Sequence, residues 1–323
     1  MSFEVILPFL RPIENLILDP DVSEIMVNGS ARVFVERDGR LEAVDGVSIE
    51  ERSLQVAVKN IARRLGDEIS DERPLLDSRL PDGSRVAAVF PPCSIGGTTL
   101  TIRKFASKLY STSELVRIGT LSDSLLQWVE TAIRKRKNIL ISGGTSTGKT
   151  TLLNALASLI DPSDRIVIIE DTAELHLEQS NVVRFEARRE QVNLPPVTIR
   201  DLVKATLRHR PDRILVGEVR GAEAFDLLQA LNTGHSGTLA TIHANSASQA
   251  ITRLTSCVLQ SGVELPFQAI RSSIGDSVNV LLHIERRNAR RVVAEIVEVA
   301  GYDPARDAFE LRTAYRTDAL AES

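Results

Sequence analysis

Residues 143 to 150 read Gly-Gly-Thr-Ser-Thr-Gly-Lys-Thr, directly after the apolar run Asn138-Ile139-Leu140-Ile141-Ser142. Strand, glycine-rich loop and helix in that order form the signature of a phosphate-binding P-loop. Such a loop must turn tightly so that successive backbone N–H groups face the phosphates. No bulky side chain interrupts it: Gly143 and Gly148 bracket Gly144, Thr145, Ser146 and Thr147. Lys149 is expected to reach the outer phosphates of ATP, and Thr150 to offer its hydroxyl to a bridging Mg2+. From Thr151 to Ala157 the chain should continue as a helix whose N-terminus faces the anion.

At 323 residues the chain has room for about two domains, each with its own core. Its net charge of -4 and 4% aromatic content do not suggest a surface built to grip nucleic acid. No apolar stretch approaches the ~20 residues needed to cross a bilayer, and the start Met1-Ser2-Phe3-Glu4-Val5 lacks the basic residues of a secretory signal, so a cytosolic location is expected. Cys93 and Cys257 lie far apart without metal-like spacing and read as reduced, structural residues.

The first hundred or so residues suggest a small mixed α/β domain. Ala31 to Glu36 alternates as a half-buried strand, Asp38-Gly39 signals a hairpin turn, and Leu41 to Val44 can return as the partner. Leu54, Val58, Ile61 and Leu65 recur at helical spacing, with Gly66 at the place of a C-terminal cap. Two further strands are expected over Ser84 to Phe90 and Thr98 to Arg103. Weak periodicity and small polar residues then suggest a linker. The expected division is an N-terminal domain over 1–106, a linker over 107–120 and a second domain over 121–323.

The second domain should open with a helix from about Ser122 that carries Leu125, Leu126, Val129, Ala132 and Ile133 on one stripe and ends in Arg134-Lys135-Arg136-Lys137. That run reads either as a solvated helix end favoured by the dipole or as a patch for anionic lipid or nucleic acid. Continuous β-branched runs at Arg165 to Ile169, Arg213 to Val216 and Gly237 to Ile242 suit a parallel sheet buried on both faces. Thr198 to Asp201 resembles a capping box opening a helix that stops before Pro211. Helices over Ala247 to Gln260 and Pro266 to Ile274, and a hairpin turning at Asp303-Pro304, complete the chain.

Nucleotide hydrolysis needs an acid near Mg2+ and a carboxylate that positions or deprotonates water. One strand end supplies Glu170, Asp171 and Glu174; the other, Ile214-Leu215-Val216-Gly217-Glu218, has glycine where a strand-ending aspartate is usual. Glu218 is then the single carboxylate at that tip, and the other three are candidates to supplement the Mg2+ shell or water network. His235 and His243 flank one predicted strand, at the edge where ligands bind in such sheets, and each reads as either a hydrogen-bonded structural residue or a functional one.

In these motifs the chain resembles the hexameric secretion ATPases of bacterial type II and type IV systems, close to the conjugation, type IV secretion and tight-adherence pilus branch. Gly143 to Thr151 matches the Walker A motif, Ile169 to Leu175 the aspartate box, Leu215 to Gly221 the atypical Walker B with its glycine, and Gly234 to Asn245 the histidine box. Asp21 to Gly29 and Thr101 to Phe105 extend the likeness into the N-terminal half. The resemblance implies an α/β protein with a RecA-like P-loop motor domain and a smaller N-terminal mixed α/β domain. It implies Glu218 as catalytic carboxylate, Thr150, Glu174 and Glu218 around Mg2+, roles for His243 and His235, and Arg85 or Arg103 on the phosphates. It also implies a homo-hexamer working peripherally at the inner membrane with secretion or pilus platform proteins, without sequence-specific nucleic-acid contact. Arg134 to Lys137 and Arg286 to Arg291 are the expected contacts near anionic lipid. The competing readings are a RecA-like nucleic-acid translocase or helicase, a small-molecule kinase and a nucleotide-gated scaffold.

Overall fold

Strands such as Val22–Asn28 and Arg32–Arg37 in the N-terminal half alternate buried and more exposed residues, while Ile139–Gly143 and Ile166–Glu170 in the C-terminal half are buried throughout, and the two halves build different sheets. The computed structural model describes residues 3–37, 39–105, 109–190, 194–287 and 290–317. The chain divides into two compact units, Met1–Ser107 with Gln191–Leu194, and Lys108–Glu190 with Pro195–Ser323.

After the short helix α1 (Glu14–Leu18), the first unit forms strands β1 (Val22–Asn28), β2 (Arg32–Arg37) and β3 (Arg40–Val44), then helix α2 (Glu51–Arg64). Strands β4 (Leu75–Arg79), β5 (Arg85–Val89) and β6 (Thr99–Arg103) follow. All neighbours in the order β3-β2-β1-β6-β5-β4 are antiparallel. One face is covered: Leu54, Val58 and Ile61 of α2 share a core with Val33, Val35, Val86, Leu100 and Ile102. The expected hairpin is present, with Asp38 of its turn outside the described residues. Gly66 ends α2 at φ 75°, a left-handed conformation that glycine adopts without strain. Cys93 departs from its expected structural role. It is free and exposed, because the Pro91-Pro92-Cys93 segment leaves the sheet after Phe90.

The second unit begins with α3 (Thr112–Arg117) and α4 (Asp123–Arg134). The strands are β7 (Ile139–Gly143), β8 (Ile166–Glu170), β9 (Val182–Glu186), β10 (Arg213–Val219), β11 (Leu239–His243), β12 (Val280–Arg287), β13 (Arg290–Asp303) and β14 (Ala308–Arg316). Helices α5 (Lys149–Ala157), α6 (Ile199–Thr206), α7 (Glu223–Asn232), α8 (Ala247–Leu259) and α9 (Phe267–Ser277) lie between them in the chain. The sheet order is β14-β13-β12-β7-β11-β10-β8-β9, parallel from β12 to β9 and antiparallel at β13 and β14. Alternation along each strand sends neighbours to opposite faces. Ile139, Ile141, Ile168 and Leu215 pack with Leu125 and Val129 of α4 and Leu152, Leu153 and Leu156 of α5. Leu140, Val167, Val216 and Ala240 pack with Leu227, Leu254 and Ile270 of α7, α8 and α9. Burial on both faces is the reason these strands carry no polar alternation.

The stretch 107–120, expected to be a linker, carries α3. A capping box opens this helix: Ser111 accepts the Glu114 N–H while the Glu114 carboxylate accepts the Ser111 N–H. Leu115 is buried in the core of the second unit with Leu121, so the second half of that stretch is packed. The Thr198–Asp201 capping box at α6 is present as expected. No helix among the described residues is long and apolar enough to cross a membrane.

The basic run at the end of α4 is partly engaged within the unit. Arg134 pairs with Glu130, and Arg136, at φ 53°, pairs with Asp164 and donates to the Asp212 carbonyl at 3.1 Å. Those two cations are held by the fold, which leaves Lys135 and Lys137 exposed beside them. Of Arg286 to Arg291, Asn288 and Ala289 lie outside the described residues, and Arg287 pairs with Glu285.

Candidate active site

In a parallel sheet the strand carboxyl ends share one edge, and there the loops between strands and helices meet. β7 delivers the phosphate loop to that edge. Gly143 sits so close to the Ile284 carbonyl of β12 and to Thr147 Oγ1 that a Cβ has no space. Gly148 stands at φ 93° as the N-cap of α5, and a Cβ there would come within 3.0 Å of Arg291 Cδ. Between them, Ser146 takes φ 58°, and Thr147 Oγ1 donates to the Gly144 carbonyl at 2.9 Å. These contacts shape the loop, with Thr150 and Thr151 in the first turn of α5 behind it.

Lys149 is 7% exposed and its Nζ donates to the Gly144 carbonyl at 2.8 Å. Burial lowers its pKa, opposed by the charge of Glu218. The same Nζ lies 3.3 Å from His243 Nδ1, and β11 holds His243 in register with Gly143. Nζ is also 3.4 Å from His243 Nε2, which itself stands 3.0 Å from Glu218 Oε1. Burial pushes the imidazole below its usual pKa, countered by Glu218, so near pH 7 it is neutral.

Glu218 reaches this position through a slip in register. From Val216 to Val219 β10 advances three residues while β11 advances two, Ala240 to Ile242. A bulge of this kind re-aims the side chains within it. Arg220 braces the carboxylate, with Nη2 donating to Glu218 Oε2 at 2.8 Å and Nη1 3.6 Å from Asp171 Oδ2. Glu218 Oε1 is buried and accepts no hydrogen bond among the described residues despite the approach of His243, whose ring is poorly aligned with it.

Glu170, from β8, turns inward. It is 2% exposed, and burial raises its pKa to about 7 against the backbone hydrogen bonds that favour its charge. Glu174 is exposed, and its backbone N–H donates to Glu170 Oε1. The site therefore gathers Lys149, His243 and Glu218 around the phosphate loop, with Asp171 linked through Arg220. It does not gather His235. That residue precedes β11 rather than following it, at the opposite edge of the sheet, and its Nδ1 lies 3.2 Å from the Ala230 carbonyl at the end of α7. Arg85 and Arg103 are register partners on β5 and β6 of the other unit.

Two further residues stand at this site, Arg220 and Arg291, the latter from the basic run expected near anionic lipid. Arg220 had a signal, since positions i and i+2 of a strand share a face and a carboxylate at i invites a cation there. Arg291 had none. Only the β12–β13 pairing carries its stem over Gly148. Gly144, Thr145, His243, Asn245, Gln249 and Arg253 line an open cavity of about 590 Å3, within the usual size range of small-molecule sites. The donor set suits Mg2+ bound to a nucleotide, which takes one or two protein oxygens and completes its shell with phosphate and water. Thr150 can supply such an oxygen and Glu218 can hold a water of the shell, and no dedicated three-ligand cluster exists among the described residues.

The different surroundings of the histidines predict different losses. His243→Ala is expected to keep ATP affinity within a few-fold and to lower turnover by about tenfold to a hundredfold, because a neutral ring between Lys149 and Glu218 is removed. His235→Ala should stay within about twofold of wild type. Steady-state phosphate release from both variants tests this, and equal losses would refute the placement.

The sequence profile described as type II/IV secretion system protein matches residues 9–304. Conjugal transfer protein TrbB of Rhizobium radiobacter is 38% identical over 288 residues, covering 88% of this chain and 85% of that protein. Type IV secretion system protein PtlH of Bordetella pertussis is 36% identical over 305 residues, covering 85% and 90%. Among solved structures, the VirB11 ATPase from the Brucella suis type IV secretion system, in complex with sulphate, matches with a TM-score of 0.50 at 29% identity over 90% of this chain and 94% of that one. The Legionella pneumophila ATPase DotB matches at TM-score 0.62 and 18% identity over 91% and 80%, a likeness of fold alone. The fold is that of a RecA-like P-loop domain preceded in the chain by an N-terminal mixed α/β domain.

Proposed function

This chain belongs to the type II/IV secretion system protein family, and from that premise we propose that it is an ATP-hydrolysing motor that powers conjugative transfer, macromolecule export or pilus assembly at the bacterial inner membrane. The observation that carries the reading is the convergence of Lys149, His243 and Glu218 on the phosphate loop, with one buried Glu218 oxygen left to accept a proton.

The loop N–H groups from Gly144 to Thr150 and the Lys149 ammonium bind the phosphates. Mg2+, when bound, would neutralise charge on the phosphate oxygens, held directly by Thr150 and through its water shell by Glu218 and Glu174. Glu218 orients the attacking water and takes its proton at Oε1, while Arg220 holds Oε2 and so keeps the carboxylate in one rotamer. His243 bridges the lysine that senses the phosphate and the acid that does the chemistry, so its contacts change when phosphate leaves. The family resemblance supports Arg85 or Arg103 as a further phosphate contact.

A motor that pushes on a partner needs several sites whose states alternate, and a closed homo-hexameric ring meets that need. ATP or a slowly hydrolysed analogue should favour the compact ring and ADP should loosen it. Light scattering at micromolar concentration with each nucleotide, alongside phosphate release, tests the proposal. A monomer under every condition with full ATPase activity would exclude the ring motor, and absence of ATP turnover in any assembled form would exclude the enzyme.

A further inference from the structure

The glycine that breaks the usual pattern at the end of β10 has a physical cause in the neighbouring strand. A Cβ on Gly217 would lie 3.0 Å from Glu170 Cγ and 3.5 Å from its Cβ, so the space beside position 217 is filled by the Glu170 side chain. Gly217 is not among the residues with positive φ, so no left-handed backbone demands glycine here, and an added Cβ would press on the Glu170 side chain. The carboxyl group of Glu170 then has a defined task. Its Oε1 accepts the Glu174 N–H at 2.8 Å and the Leu175 N–H at 2.9 Å, two donors of the loop that leaves β8.

Resting on the ATPase reading above, we propose that Glu170 is a positioning residue for hydrolysis: it occupies the space that glycine leaves at position 217 and clamps the 171–175 loop, fixing Asp171 against the Arg220 that holds the catalytic carboxylate. Burial makes the clamp stiff. The side chain is 2% exposed, Leu175 is fully buried beneath the loop, and the loop's Asp171 faces Arg220, which in turn holds Glu218. Motion of the loop therefore reaches Glu218 through one ion pair and one hydrogen bond. The other oxygen, Oε2, is buried without a hydrogen bond among the described residues, so the two loop N–H groups are what repay the burial of this acid. Charged groups facing it are Arg184 from β9 and Glu174 from the loop.

The acceptor, not the charge, is the working part, which separates the test variants. Glu170→Gln keeps an oxygen for both N–H groups. Glu170→Met has nearly the same volume and no comparable acceptor. Phosphate release by the full chain should show a kcat at least about tenfold lower in E170M, with the KM for MgATP within about twofold, and E170Q should recover most of that loss. G217A should lower kcat like E170M, and the double variant G217A/E170M should fall no further than either single one, since both changes release the same loop. Thermal melting and binding of a fluorescent ATP analogue verify that each variant is folded. Should E170M fail to fold, G217A against wild type still decides. Wild-type kcat in E170M or G217A, equal damage in E170Q and E170M, or additive losses in the double variant would overturn the clamp. A wild-type chain without ATP turnover would instead overturn the ATPase reading.

Discussion

Glu218→Gln is expected to bind ATP with affinity close to wild type and to hydrolyse it about a hundredfold to ten-thousandfold more slowly. The substitution keeps the size of the side chain and one oxygen for the Arg220 hydrogen bond at 2.8 Å, so the end of β10 should stay in place. What it removes is the basic oxygen. Oε1 is the only oxygen of this carboxylate not held by Arg220, and it is buried beside His243, where an amide can neither take a proton nor carry the charge that Lys149 and Arg220 offset. Binding depends on loop N–H groups and on Lys149, which the change leaves alone. A fluorescent ATP analogue reports affinity and single-turnover phosphate release reports chemistry. Turnover undiminished in the variant would remove Glu218 from the mechanism.

The phosphate loop was legible because its chemistry is local: a tight turn around an anion demands glycines and a lysine within a few residues, and nothing distant can substitute for them. The parallel strands were legible for a similar reason, since burial on both faces makes Ile166 to Ile169 or Ile214 to Val216 apolar throughout. The helix α3 is written in the capping box Ser111-x-x-Glu114, although the periodicity around it is weak. His235 stands apart from His243 for a reason of direction. Eight residues separate it from His243 in sequence, but the intervening strand β11 rises about 3.3 Å per residue and carries the two to opposite edges of the sheet. The contact of β12 and β13 with the phosphate loop had no local signal: Ser142 Oγ meets His283 Nδ1 at 3.0 Å across 141 residues of sequence, and Arg291 reaches Gly148 through the β12–β13 pairing. Gly217 was noticed as an exception, but its cause lay in Glu170 on another strand.

Replacing Lys149 by alanine should produce the other large loss, and of a different kind. Glu218→Gln separates binding from chemistry, whereas the lysine serves both: the buried ammonium is the one side-chain cation in the described phosphate loop, and it also sits against His243. Hydrogen bonds to charged groups contribute about 1.5–3 kcal/mol, so losing this one should weaken ATP binding by about tenfold to more than a hundredfold. Turnover should fall further than binding, because charge on the transferring phosphoryl oxygens is spread in the transition state and loses the same partner. The loop itself should survive. Its shape is set by Gly143 against Ile284, by Gly148 at φ 93° and by the Thr147 hydroxyl, none of which needs the lysine. Lys149→Arg retains the charge but places a wide planar fork in a space only 3.3 Å from the His243 ring, and it is not expected to restore activity. Titration with a fluorescent ATP analogue and steady-state phosphate release on the same preparations check both effects. An alanine variant with wild-type affinity and turnover would show that the nucleotide does not sit on this loop.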